Sequence, residues 1–287
     1  MTEEAKQPEA LVLYLSPHGT TRRAVEALAA SLTRNGVAAD VRDMREFEGD
    51  REELYLRLPS YALIVFGSPT YFHHAPPVFT DFIRNIPDAG GNQAVAFLST
   101  FGGVSSGVIQ FDLARSLYGK KYRLIGGIQV LAEHCLTFQE KEAFHGGRPG
   151  EGDLAVIREF GKTLVARLTD KTGRKYLPEA FRDKPFLLNF FDAHVNSLKT
   201  FAWSMPGIRV KKTACTGCGL CVMNCPTGNI ALDRVAVHGK HCTYCYSCVR
   251  YCPEGATTTF LKPAEVIVRW LAGRFAPHEE QITRQVV

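Results

Sequence analysis

Eight cysteines in the last part of this 287-residue chain repeat one spacing twice: Cys215-x2-Cys218-x2-Cys221-x3-Cys225-Pro226, then Cys242-x2-Cys245-x2-Cys248-x3-Cys252-Pro253. Three thiolates in a tight loop can hold one face of a [4Fe–4S] cube, and the fourth ligand then comes from the other run. Crossing the runs in this way assigns Cys215, Cys218, Cys221 and Cys252 to one cluster and Cys242, Cys245, Cys248 and Cys225 to a second. The alternatives are structural zinc, because C-x2-C is also a zinc spacing, and disulfides. A zinc knuckle uses two cysteines, whereas each run here has a third and a Cys-Pro ending. Gly217 and Gly219 suit a chain folded over an inorganic cube, which needs residues that accept positive φ and aim N–H groups at sulfur. Pro226 and Pro253 turn the chain after each fourth cysteine.

The elements that must position these cysteines have an uneven charge. Residues 1–204 carry 24 Lys+Arg and 24 Asp+Glu, and residues 205–287 carry 10 and 5, so the whole formal +5 lies in the cysteine-rich part. A basic module could bind nucleic acid. Each oxidised cube with four thiolates contributes about −2, however, which brings the total to about +1 with two clusters. No nucleic-acid partner is therefore expected, and the basic residues offset cluster charge and shape a docking face. Met1 to Ala10 is polar and acid-rich, with no basic region leading into an apolar run. That predicts no secretory signal, and with thiolate ligands for iron it predicts a reducing, cytoplasmic setting. No run of eighteen apolar residues suggests a membrane span.

Upstream, apolar strands alternate with helical patterns. Leu11 to Leu15 leads into Ser16-Pro17-His18-Gly19-Thr20-Thr21 and a helix with Ala24, Leu28 and Leu32 on one face. Hydroxyls and free N–H groups at a helix N-terminus can hold a phosphate, although Ser or Thr there can also serve only as a cap. Further strands are expected at Val37–Val41, Tyr61–Gly67, Ala94–Leu98 and Leu124–Leu131, with helices at about 78–86, 105–118 and 152–169. This alternation predicts a doubly wound, parallel, five-stranded α/β sheet, whose ligands sit beyond the carboxyl ends of the strands where the winding reverses. Three loops converge there. The second supplies Pro69, Thr70, Tyr71 and Phe72, and the third Thr100, Phe101, Gly102 and Gly103. An aromatic ring system with a phosphate tail suits this set, and packing of the sheet rim is the plainer role for each aromatic residue alone.

Residues 171–207 read as a linker in which Phe186 to Met205 has apolar residues at helical spacing. It is expected to pack between two domains, with a subunit interface or a membrane surface as alternatives. Residues 261–287 read as a helical extension covering part of the cysteine-rich module, starting at Lys262-Pro263-Ala264-Glu265. Cys135, the ninth cysteine, reads as a buried thiol, with a reactive role beside His134 as the alternative.

The motifs S-P-H-G-T-T, G-S-P-T-Y-F-H-H-A-P-P and S-T-F-G-G resemble the three flavin-mononucleotide loops of flavodoxins, and the cysteine runs resemble bacterial two-cluster ferredoxins. Together they are similar to flavodoxin-domain/ferredoxin fusions, a group of microbial iron–sulfur flavoproteins that the segment Gly147 to Leu154 also resembles. The resemblance covers 11–170 and 208–260. It implies a flavodoxin-like domain followed by a small α+β bacterial-type 2[4Fe–4S] ferredoxin domain, with FMN and two [4Fe–4S] clusters as cofactors. Phosphate contacts are implied for Ser16, His18, Gly19, Thr20 and Thr21, and ring contacts for Pro69, Thr70, Tyr71 and Phe72. Thr100, Phe101, Gly102 and Gly103 complete the pocket. Pro17 and His18 depart from the usual run of small or hydroxyl residues, and Pro17 removes a backbone donor. Arg22 and Arg23 could assist the phosphate, or form only a solvated face.

Three functions fit these parts. The first is an electron-transfer protein serving redox partners, a ferredoxin or an oxidoreductase; no G-x-G-x-x-G follows a strand, so no nicotinamide site is expected. The second is a flavin-dependent reductase of a small molecule fed by the clusters, with His73 and His74 as candidate proton donors. The third is a redox-sensing subunit of a larger complex. A homodimer or an assembly with other subunits is open.

Overall fold

Short, wholly apolar runs separated by amphipathic helices build a sheet covered on both faces. The computed structural model describes residues 7–47, 51–91, 93–170, 176–182, 202–233, 235–239, 241–275 and 283–287. Most of the helix expected over 186–205 lies outside the described residues. Five parallel strands are present: β1 (Glu9–Tyr14), β2 (Ala38–Asp43), β3 (Leu63–Pro69), β4 (Ala94–Phe101) and β5 (Arg123–Leu131). Between and after them come α1 (Thr20–Arg34), α2 (Glu52–Arg57), α3 (Pro77–Asn85), α4 (Ile109–Gly119) and α5 (Glu151–Thr169). β1 pairs with β2 on one side and β3 on the other, and β4 and β5 follow beyond β3. The winding reverses at β1 and β3, so the crevice lies beyond their carboxyl ends.

Alternation along each strand sorts the core into two layers. Leu11, Leu13, Ile64, Phe66 and Phe97 share one with side chains of α2, α3 and α4, and Ala10, Val12, Leu63 and Val65 share the other with α1 and α5. Each of the larger aliphatic side chains stabilises the fold by about 1.5–3 kcal/mol on burial. Gly67 lets α1 rest directly on the end of β3, because a Cβ there would come within 2.5 Å of Val25 Cγ1. β4 runs three residues past the expected Leu98, since Ser99 and Thr100 continue the ladder opposite Ser68 and Pro69. α4 starts later than expected. Ser105 Oγ accepts from Gly107 N, and Val108 N donates to His73 O at 2.8 Å, which makes the stretch before α4 a turn tied to the loop after β3.

The cysteine-rich stretch has the small α+β character expected of it. Arg209–Val210 pairs antiparallel with Thr257–Thr258, and Ile230–Asp233 pairs antiparallel with Val235–His238. Helical turns at Leu220–Met223 and Ser247–Arg250 follow the third-from-last cysteine of each run.

The chain end departs from expectation twice. The sheet has a sixth strand, Arg284–Gln285, antiparallel to β5, so the residues read as purely helical end in a strand. The helix before it, Lys262–Phe275, sends Arg269 to the loop after β5: Nη2 donates to Glu142 O at 2.7 Å and the guanidinium lies over the Phe144 ring at 5.5 Å. The physical reason is that β5 would otherwise present an open edge of unpaired N–H and C=O groups. Val286 N donates to Gly127 O at 2.8 Å, and the Thr283 hydroxyl accepts from Leu131 N at 3.0 Å while donating to the buried Asp153 carboxylate. Thr283→Val removes both hydroxyl bonds. It is expected to cost about 2 kcal/mol and to lower the melting temperature by about 4–8 °C, with Thr283→Ser close to the parent; equal melting of T283V and the parent would show that the tail does not hold this edge.

Candidate redox site

The two cysteine runs repeat in backbone as well as in sequence. Gly217 and Gly219 take φ of 72° and 77°, and the corresponding Tyr244 and Tyr246 take 52° and 58°. A side chain in the left-handed region costs about 1–2 kcal/mol. Tyr246 is held there by burial and by its hydroxyl donating to Pro206 O at 2.8 Å. The result is two cavities. One is lined by Cys225, Cys242, Cys245 and Cys248, and the other by Cys215, Cys218, Cys221 and Cys252. Each thus combines three cysteines of one run with the last of the other. All nine cysteines are free of disulfides. Among the described residues, no three Cys, His, Asp or Glu side chains converge as a single metal ion requires. Four thiols spread around a cavity suit a polynuclear cube instead.

The surroundings also suit thiolates bound to iron. Backbone amides of Asn229, Tyr244 and Ala256 donate to the sulfurs of Cys225, Cys242 and Cys252 at 3.2, 3.3 and 3.2 Å. Burial pushes the thiols of Cys221, Cys242, Cys245 and Cys248 up. A cation must therefore offset the thiolate charge, and loading and folding are linked. At Cys252 burial is outweighed by the N–H groups of Thr257, Ala256 and Glu254, which hold the thiol below its ordinary value.

The three loops at the sheet's reversal point also come together. Thr21 Oγ1 lies 2.8 Å from Thr100 Oγ1, and Thr70 N donates to Thr100 O at 2.8 Å, which joins the first, second and third loops. Gly19, at φ 83°, precedes α1 and has no side chain with which to cap it. Ser16 Oγ accepts from Arg22 N at 2.9 Å, which shapes the turn, and Thr20 is partly exposed beside it. A hydroxyl-bearing turn at the open positive end of a 15-residue helix fits a phosphate. Tyr71 and His74 exchange backbone hydrogen bonds across Phe72 and His73, both at positive φ, so the second loop is a tight turn standing on β3. Phe101 is buried. Gly102 and Gly103 lie against His134 and His145 of the loop after β5, where a Cβ would collide with either imidazole. His145 Nε2 is buried there without a hydrogen-bond partner, a polar atom at the rim of the FMN loops. The residues present therefore fit FMN at its phosphate end and along its rim.

One contact was not foreseen. His18 Nε2 lies 2.6 Å from the carbonyl oxygen of Cys245, and Ser247 Oγ donates to Pro17 O at 3.1 Å. Burial, and then Arg250 nearby, pull the His18 pKa down to about 4. The ring is neutral, and since a carbonyl only accepts, Nε2 carries the proton. Arg250 forms an ion pair with Glu133 at 2.6 Å and stacks over Phe138 at 5.6 Å, and Arg45 reaches Asn224 at 3.5 Å. Burial, then Cys245 and Cys135, raise the Tyr71 pKa, which puts the loop after β3 beside the same cysteine. Burial and the adjacent Cys245 push the Cys135 thiol up to about 12, so it is no nucleophile at neutral pH. Sequence reasoning missed Glu133, Phe138, His145, Ser247 and Arg250. Ser247 and Arg250 lie inside the second cysteine run, but nothing in its spacing marks them.

The flavodoxin-domain family model matches residues 11–107, and the 4Fe-4S dicluster-domain model matches residues 207–253. Among curated proteins none matches this sequence. Similar solved structures include a flavodoxin from the domain Archaea, 18% identical, with 56% of this chain and 98% of that chain covered and a TM-score of 0.44. Flavodoxin 1 from Bacillus cereus is 17% identical over 56% of this chain and 99% of its own, with a TM-score of 0.44. The Flv1 flavodiiron core from Synechocystis is 21% identical, with a TM-score of 0.44; 57% of this chain is matched, but it spans only 36% of that longer one. The two matches are consistent with a flavodoxin/ferredoxin fusion and support a redox role as an iron–sulfur flavoprotein. A flavodoxin domain implies FMN, and a dicluster domain implies cubane clusters. No helix among the described residues is long and apolar enough to cross a membrane.

The crossed ligand sets are tested by combining substitutions. Cys221→Ser with Cys252→Ser strikes one cluster, so iron should fall from about eight atoms per chain to about four. Cys221→Ser with Cys225→Ser strikes both and should leave almost none. Equal iron in the two double variants would contradict the crossing.

Proposed function

We propose that this chain passes electrons between FMN and two [4Fe–4S] clusters, on behalf of redox protein partners such as a ferredoxin or an oxidoreductase. The observation that carries the reading is the pair of hydrogen bonds from the first flavin loop to the second cysteine run, His18 to Cys245 and Ser247 to Pro17. They put Cys245 against the loop after β1, which supports a cluster and the flavin phosphate as neighbours within one polypeptide. FMN, when bound, supplies a carrier for two electrons taken together or singly, and each cube supplies a one-electron carrier.

In this reading the residues divide the labour simply. Ser16, Gly19, Thr20 and Thr21 hold the phosphate end at the α1 N-terminus; Pro69, Thr70, Tyr71 and Phe72 flank the ring, and Thr100, Phe101, Gly102 and Gly103 close the third side. His18 braces the phosphate turn against the cluster loop. His134 and Phe138 keep bulk water from the seam, which strengthens each polar contact inside it. Cysteines without disulfides suit a reducing, cytoplasmic compartment.

A second reading has one observation in its favour. His74 Nδ1 lies 3.0 Å from Asp112 Oδ2, so a carboxylate orients an imidazole in the loop assigned to the flavin ring, an arrangement suited to proton delivery in a small-molecule reductase. Anaerobic stopped-flow mixing tests the electron-transfer reading. With a reduced ferredoxin as donor, the flavin and cluster absorbances should bleach together, and NAD(P)H alone should give no comparable reaction. Rapid bleaching by NAD(P)H with none by ferredoxin would overturn the electron-transfer reading.

A further inference from the structure

The two clusters occupy unequal positions. The cavity of Cys225, Cys242, Cys245 and Cys248 has the more buried wall: Cys245, Cys248, Thr243, Tyr246 and Ser247 are all buried, and two of these residues carry the bonds to the first loop of the sheet. On the wall of the cavity of Cys215, Cys218, Cys221 and Cys252, by contrast, Thr216, Cys218, Leu232 and Glu254 are exposed. Leu232 on that wall is 44% exposed, and Met223, between Cys221 and Cys225 in the chain, is 64% exposed. The chain enters that cavity through exposed Arg209, Lys211 and Lys212, and Lys211 N donates to Ala256 O on the cavity wall at 2.8 Å. Asp233 and Glu254 are the exposed acids nearby.

An apolar centre beside a basic edge, over a metal centre, has the character of a transient docking face for a partner of opposite charge. From this we infer that the clusters work in a fixed order: the cluster of Cys215, Cys218, Cys221 and Cys252 is the port, and the cluster of Cys225, Cys242, Cys245 and Cys248 is the flavin's neighbour. The occupant of the port is a one-electron protein carrier with acidic side chains around its own cofactor. The order deepens, and rests on, the electron-transfer reading above. With Cys215, Cys218, Cys221 and Cys252 holding one cluster and Cys225, Cys242, Cys245 and Cys248 the other, each passage would oxidise one donor molecule by one electron, carried from the port set to the inner set and on to the flavin site. Two passages deliver two electrons, accompanied by two protons from solvent, and the reverse order serves an acceptor.

Two measurements on the holoprotein test this. In the first, clusters are stripped slowly with ferricyanide and EDTA, and thiols are trapped with N-ethylmaleimide and located by mass spectrometry. The port set, Cys215, Cys218, Cys221 and Cys252, should be labelled about tenfold faster than Cys225, Cys242, Cys245 and Cys248. Equal rates, or the inner set first, would overturn the order. In the second, Lys211→Glu with Lys212→Glu is mixed with a reduced acidic ferredoxin, at iron and flavin contents matched to the parent. The second-order rate should fall about tenfold, while reduction by the small cation radical of methyl viologen stays as in the parent. An unchanged ferredoxin rate would overturn the docking face. If the parent itself takes no electrons from any protein donor, the electron-transfer reading falls, and the labelling order still decides which cluster faces outward.

Discussion

A neutral imidazole joins the two chemistries of this molecule. Buried between the sheet and the cysteine-rich module, His18 cannot afford a charge, and its Nε2–H finds the carbonyl of Cys245. Such a bond contributes about 0.5–1.5 kcal/mol net, but losing one partner would strand a polar group in a water-poor seam. The Ser247 hydroxyl on Pro17 and the Arg250–Glu133 ion pair add further cross-links, so the turn after β1 and the second cysteine run hold a defined distance. Pro17 has no N–H to offer, and its carbonyl instead becomes the acceptor for Ser247.

Charge follows the same logic. Cubes ligated by thiolates carry negative charge that the formal +5 of the polypeptide largely offsets. Backbone amides aimed at the sulfurs of Cys225, Cys242 and Cys252 do locally what the basic residues do at long range. Arg250, drawn to Glu133 and stacked over Phe138, brings a cation close to the inner cluster without leaving it unpaired.

Much of this could be read from residue order. The apolar runs at 11–15, 61–67, 94–98 and 124–131 fixed the parallel sheet, because continuous Val, Ile and Leu mark strands buried on both faces. The cysteine spacing anticipated both cavities, since the Gly217 and Gly219 positions announce a loop folded over something. Tyr244 and Tyr246 repeat that backbone with residue types that give no such sign. The edge strand Arg284–Gln285 escaped notice because two residues make no period, and its anchor, Thr283 on Asp153, joins positions far apart in the chain. The loop after β5 was equally opaque. His134, Phe138 and His145 have no periodic pattern, and their places follow from what packs on them: Gly102, His18 and Gly103.

The central claim is that flavin and clusters exchange electrons inside one chain, across the His18–Cys245 seam. Flash photoreduction of anaerobic holoprotein with a deazaflavin injects electrons one at a time, and the subsequent redistribution can be followed at flavin and cluster wavelengths over a wide range of protein dilution. The account predicts a relaxation whose rate does not change with protein concentration. A rate proportional to concentration would mean that electrons pass only between molecules, and would contradict it.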